Sequence, residues 1–183
     1  MRPSEPPPIL PRLLSPLVQY ADRIHWANSK LTVTLLDRFE LISPKNPEHA
    51  TRTSVVIRAT DTFEHDEARR NVVIKLMRNK SQYDREIRIR EVLEDRFVVD
   101  ILHCSTDEHF KDKWNDSIKW NLPKYAKYKY GLVMPAAQRN LMVVLMQERV
   151  EIEEIRSLAV QIAQCLRHMH DALMIHSDLK VSV

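Results

Sequence analysis

Among the 183 residues there is one glycine, Gly131. Glycine is the usual residue wherever a backbone turns through positive φ or crowds against a phosphate, because a Cβ resists both. Tight turns here, and any loop that embraces a phosphate, are therefore built from residues that carry side chains. Proline is as unevenly placed: most of the 10 prolines lie in residues 1–16. Their Ser-Glu-Pro-Pro-Pro-Ile-Leu-Pro context reads as an extended tail or linker, one that can join a further domain.

The remainder has room for one domain with a sizeable core, and the full chain is 44% hydrophobic and 29% charged. A net charge of +3 is too small to point to nucleic acid or an anionic membrane, so a specific pocket is expected to carry the function. Cys104 and Cys165 form neither a metal-ligand spacing nor a disulfide framework. No charged-then-apolar leader and no apolar run of membrane length is present. The expectation is a cytoplasmic protein with no metal-ligating residue identified and no membrane partner.

Residues 17–28 place Leu17, Tyr20, Ala21 and Ile24 at helical spacing, and residues 31–36 are strand-like. Three strands are then predicted: one around Phe39, Leu41 and Ile42, one over 54–59, and one over 72–77. Lys75 ends the run Val72-Val73-Ile74, and a lysine in such a run needs either a wet face or a carboxylate partner. Ser81-Gln82-Tyr83-Asp84 reads as a capped helix start, which puts Glu86 mid-helix between Tyr83 and Ile87. Glu86 is the expected partner of Lys75, with Glu91 left open as the alternative. Residues 98–104 and 130–134 read as a fourth and a fifth strand. Between them, Trp114, Trp120, Tyr125 and Tyr128 stand among many charges, ending in Lys124-Tyr125-Ala126-Lys127-Tyr128-Lys129. Aromatics interleaved with lysines can stack bases, but Asp107, Glu108, Asp112 and Asp116 dilute the charge. A solvated insertion whose aromatics pack back on the sheet is expected, and no nucleic-acid partner. A short helix over 140–147 and a long one over 151–173 follow, the latter apolar at Ile155, Leu158, Ala159, Ile162, Leu166, Met169 and Leu173.

Past that helix, His176-Ser177-Asp178-Leu179-Lys180 resembles the catalytic loop of the protein kinases, H-R-D-L-K-x-x-N. Ser177 stands in place of the arginine and Val183 in place of the magnesium-binding asparagine. The order of lysine strand, glutamate helix, Leu132-Val133-Met134-Pro135-Ala136-Ala137 as a hinge, long helix and Asp-x-Lys loop is also similar to that family. The resemblance runs from about Phe39 to the end and favours the Ser/Thr type. It implies an α+β fold: a tail over 1–36, a small lobe and hinge over 37–137 (a five-stranded antiparallel sheet plus one helix), and the start of a large lobe over 138–183.

By the same resemblance Lys75 grips phosphates, Glu86 orients Lys75, Asp178 is the catalytic base and Lys180 supports the transferring group. Val56 lines the adenine pocket together with Ala59, Met134 is the gatekeeper, and Ala137 offers main-chain groups to the base. ATP and Mg²⁺ are the cofactors of a complete family member, which transfers the γ-phosphoryl to Ser/Thr hydroxyls of a protein. His49, Thr51 and Ser54 stand where its phosphate loop has glycines, so weak ATP binding is expected. The chain is expected to be cut within the catalytic loop and inactive. Val181-Ser182-Val183 can be encoded by GTA-AGT-GTN, which begins like an intron's splice donor, and the long helix would then leave its apolar face in water. The alternative is a non-catalytic, pseudokinase-like module that binds a partner protein.

Overall fold

The computed structural model describes residues 32–147 and 150–179. The described residues from Val33 on belong to one compact unit, which carries the sheet and the site. The helix expected over 17–28 and the proline-rich tail lie outside the described residues, as does Lys180.

This unit is α+β. Its described residues form a seven-stranded sheet, antiparallel at every pairing. The strands are β1 (Val33–Leu35), β2 (Phe39–Leu41), β3 (His49–Ala50), β4 (Ser54–Asp61), β5 (Asn71–Met77), β6 (His103–Cys104) and β7 (Tyr130–Pro135). They lie in the order β1-β2-β4-β5-β7-β6, with β3 paired to β4. The α-helices among the described residues are α1 (Glu67–Arg70), α2 (Lys80–Val92), α3 (Trp114–Asn121), α4 (Leu141–Gln147) and α5 (Ile152–Asp171). The sheet has two strands beyond the five expected of the small lobe: the strand-like stretch read at 31–36 joins it as Val33–Leu35, and the His49–Ala50 hairpin arm, which the sequence did not suggest, pairs with β4.

The period of two along a strand sorts side chains onto opposite faces. On β4, Val55, Ile57, Ala59 and Asp61 are buried while Val56, Arg58 and Thr60 are less so. On β5, Val72, Ile74 and Leu76 share the buried face, and Val73 and Lys75 the other. The first face meets α3 and the turn after it, where Trp114, Ile118, Leu122, Tyr125 and Tyr128 complete the larger core. The second face meets α2 through Tyr83 and Ile87, against Leu132, Met134 and Val73.

Residues 106–129 are therefore not a solvated insertion. Trp114, Ile118 and Leu122 recur every four residues, one stripe of a helix, and lie fully or almost fully buried. Three of the four aromatics do pack back on the sheet, while Trp120 is 79% exposed. Gly131 is where the sheet lets the indole in. A Cβ there would stand 1.8 Å from Cζ2 of Trp114, which no side chain can occupy, so the one glycine serves a close approach rather than a turn.

Turns that would suit glycine are indeed made without it. Leu36, Asp37 and Ser43 have φ between 50° and 58°, a region that costs an L-residue about 1–2 kcal/mol. The β1–β2 turn is held by its surroundings. Leu36 donates its N–H to Ser117 Oγ of α3 at 2.8 Å, and Arg38 grips the buried Asp61 carboxylate through Nε and Nη2 at 2.8 and 2.7 Å.

Two further expectations are corrected. The fourth strand shrinks to His103–Cys104: Asp95–Phe97 is a 3₁₀ turn, and Val99 is exposed with its carbonyl taken by Arg90 Nε at 2.8 Å. Without a partner strand at that point, β-branched residues alone do not make a ladder. The helix carrying Glu86 begins at Lys80 behind Asn79, and no side chain caps it, so the Ser81 capping reading does not hold. Among the described residues no helix is long and apolar enough to cross a membrane. Helix α5 opens on a capping box between Glu151 and Glu154. Its contacts with the rest include His168, whose ring lies 4.6 Å from that of Phe97 and which accepts the Glu94 N–H at 3.1 Å, and Cys165, whose Sγ lies 3.6 Å from the Phe97 carbonyl.

Candidate functional site

Lys75 reaches the second face of the sheet because it alternates with Ile74 and Leu76, whose side chains enter the core. Its neighbours in register are Val56 on β4 and Leu132 on β7. An ammonium set among them needs an acceptor, and α2 supplies one. Lys75 Nζ donates to Glu86 Oε1 at 2.5 Å, with the two side chains 21% and 23% exposed. Glu86, not Glu91, faces Lys75.

The second carboxylate oxygen of Glu86 takes Arg90 Nη1 at 3.2 Å, one helical turn on. Burial pushes the Glu86 carboxyl up, but the hydrogen bond and charge of Lys75, then those of Arg90, more than offset it, and its pKa lies below the usual glutamate value. Arg90 is a brace with three further contacts, to the Glu86 and Val99 carbonyls and to Met134 Sδ at 3.3 Å. The triad of Lys75, Glu86 and Arg90 ties α2 to β5 and, through Met134, to β7.

Beside it opens a cleft of about 660 Å³, which Arg90 of the triad lines and Lys75 and Glu86 do not; Val56, the register neighbour of Lys75, does. Val56, Val73, Met134, Pro135 and Val143 give it apolar walls, and Arg58, Arg90, His49 and Glu48 are among the polar residues lining it. Val56, Met134 and Ala137, expected from the sequence to meet at one pocket, line it together. Ala59 does not join them. It lies three residues from Val56 and so faces the opposite side of the strand, fully buried in the larger core. Arg58 takes the place beside Val56.

No model of a protein family matches this sequence, and no curated protein matches it. The chemistry of the site rests on its own geometry.

Asp178 is exposed on a turn after α5 and is not among the residues lining the cleft. Its neighbours His176 and Leu179 border a separate hollow with Phe97, Leu158 and Cys165. Of the hairpin residues expected in place of glycines, His49 lines the cleft, while Thr51 and Ser54 are engaged with each other. Thr51 Oγ1 accepts the Ser54 N–H at 3.0 Å and lies 3.2 Å from the Ser54 hydroxyl. Those hydroxyls close the turn between β3 and β4. Among the described residues no group of three or more His, Cys, Asp or Glu side chains could hold a metal ion.

Sequence reasoning missed Arg58 and the extent of Arg90's role. Both had a readable signal: Arg58 is two residues after Val56 on one strand, and Arg90 is four after Glu86 on one helix.

The hinge segment is also more occupied than expected. Ala136 donates its N–H to Asn71 O at 2.9 Å, fastening the end of β7 to the start of β5. The Ala137 carbonyl accepts Arg58 Nη2 at 3.2 Å.

Proposed function

We propose that this chain is a protein-kinase-like module that binds a nucleotide in the cleft beside Lys75. The observation that carries the proposal is the Lys75–Glu86 pair at 2.5 Å, an ammonium oriented by a helix carboxylate next to an apolar slot. The slot's walls, Val56, Val73 and Met134, suit the two faces of a flat base. Lys75, with Glu86 and Arg90 fixing its position, suits a phosphate oxygen; an ammonium–phosphate hydrogen bond is charge-assisted and of the stronger kind. The cleft volume and this donor set fit a nucleotide such as ATP.

In a complete kinase-type domain ATP and Mg²⁺ supply the γ-phosphoryl group and its charge neutralisation. There Asp178 would accept the proton of a protein Ser/Thr hydroxyl and Lys180 would steady the transferring group. The described residues offer no cluster to hold magnesium, so the proposal is one of nucleotide binding.

A second reading, binding without phosphoryl transfer, has two observations in its favour. The Thr51 and Ser54 hydroxyls close their own turn instead of facing a phosphate. Arg58 takes one of the two lone pairs of the Ala137 carbonyl, an acceptor that adenine would otherwise meet alone. The role would then be that of a scaffold for a partner protein.

Calorimetric titration of the 183-residue chain with ATP and ADP, beside the Lys75→Met variant, tests the proposal. Weak but saturable binding is expected, falling roughly tenfold or more when the ammonium is lost, since a hydrogen bond to a charged group contributes about 1.5–3 kcal/mol. Nucleotide binding that ignores Lys75→Met, or no binding at all, would refute it. Transfer of labelled phosphate to a protein substrate would decide against the non-catalytic reading.

A further inference from the structure

We infer that Arg58 sets the base preference of the cleft, and that the ligand it favours is an oxopurine nucleotide, guanine or hypoxanthine, over an adenine one. The inference deepens the nucleotide reading above and depends on it.

Arg58 follows Val56 by two residues on β4 and shares its face of the sheet, so its side chain crosses the mouth of the cleft that Val56 helps to wall. Two contacts fix the guanidinium. Nη2 donates to the Ala137 carbonyl at 3.2 Å, and Nε donates to Glu48 Oε1 at 3.1 Å. An arginine side chain has five N–H donors and no acceptor. The other three N–H groups have no protein partner among the described residues, and the side chain is 30% exposed. Arg58 therefore adds N–H donors to the base edge of the cleft and takes one of the two lone pairs of the Ala137 carbonyl.

Those donors discriminate between purines. Adenine presents a 6-amino donor, which meets the guanidinium donor to donor and finds on Ala137 only the lone pair that Arg58 leaves. A donor-to-donor contact forfeits the hydrogen bond that an acceptor would make there. Guanine and hypoxanthine present O6 and N7, two acceptors on one edge at the spacing of the guanidinium fork. This is the pairing by which arginine reads guanine in the DNA major groove. Glu48, which also lines the cleft, holds the guanidinium through Nε, and Val56, Val73 and Met134 take the ring faces. Because hypoxanthine lacks the 2-amino group and keeps O6 and N7, it should be accepted as well as guanine.

The test is competition of GDP, IDP and ADP against a fluorescent nucleotide on the full 183-residue chain, repeated with Arg58→Ala and Arg58→Lys. GDP and IDP are expected to bind about fivefold to a hundredfold more tightly than ADP, the range for one bidentate arginine–base pair. Arg58→Ala should level the three. Arg58→Lys, which keeps the charge but not the fork, should also lose most of the discrimination while retaining general affinity for the phosphates. Circular dichroism melting of each variant confirms that the fold persists, as expected for a side chain at the rim. ADP binding as tightly as GDP, or discrimination that survives Arg58→Ala, would overturn the inference and leave the nucleotide reading standing. Failure of all three nucleotides to bind would overturn both.

Discussion

Glu86 sits between two cations, Lys75 and Arg90, and the consequence is a definite dependence on acid. Its folded-state pKa is depressed, so its contribution to stability is fully present above the ordinary carboxylate value and is lost as pH falls through the lower, folded one. Asp61, held by Arg38, has the same sign: burial raises its pKa, while the Arg38 hydrogen bond, the Phe63 N–H and the Arg38 charge bring it below the usual value. Stability should therefore fall as pH drops below about 4. Glu86→Gln should cost about 1–2 kcal/mol at neutral pH and flatten part of that acid limb; urea unfolding of both proteins from about pH 7 to about pH 2 checks this. An unchanged acid limb in Glu86→Gln would show that the pair contributes nothing. Gly131 gives a second residue-scale expectation. With a Cβ at 1.8 Å from the Trp114 ring, Gly131→Ala has to displace a buried indole, and a loss of about 3 kcal/mol or more is expected in the same assay, at the upper end for overpacked cores.

At the scale of elements, α3 supports the sheet more than its composition suggests. Ile118 is 1% exposed and Trp120 is 79% exposed on the same helix. Ile118→Ala should destabilise by about 2–5 kcal/mol, whereas Trp120→Ala should stay within about 0.5 kcal/mol. Thermal melting of the two variants separates a packed helix from a solvated insertion, because in the latter both would be neutral. This helix also shows where sequence reading runs out. Trp114, Ile118 and Leu122 carry a helical stripe, but it lies among so many lysines and acids that composition spoke for solvent. The strands over 54–61 and 71–77 were legible because long β-branched runs bounded by polar residues fit little else. The Lys75–Glu86 pairing was legible because one cation on such a strand and one acid on the apolar edge of the next helix leave few other solutions. The placement of Ala59 with Val56 failed for a plain reason: a spacing of three was read from a motif, while a strand repeats every two. The strand expected at 98–104 failed because propensity cannot supply a neighbour to pair with.

For the molecule as a whole, α2 and α3 cover opposite faces of one antiparallel sheet, and the cleft lies on the α2 face, where the sheet leaves Val56, Arg58, Val73 and Lys75 less buried. A second candidate for phosphate is the open basic hollow at the start of α2, lined by Arg78, Lys80, Lys127 and Lys129 with Tyr130. The direct test of the nucleotide proposal is therefore where a nucleotide lands. Backbone amide shifts of the isotope-labelled chain, followed by NMR while GDP or ADP is added, should move at Val56, Arg58, Val73, Lys75, Met134 and Ala137, and should need roughly tenfold or more nucleotide to move as far in Lys75→Met. Shifts confined to Arg78, Lys80, Lys127 and Lys129, or none at millimolar nucleotide, would contradict the central claim.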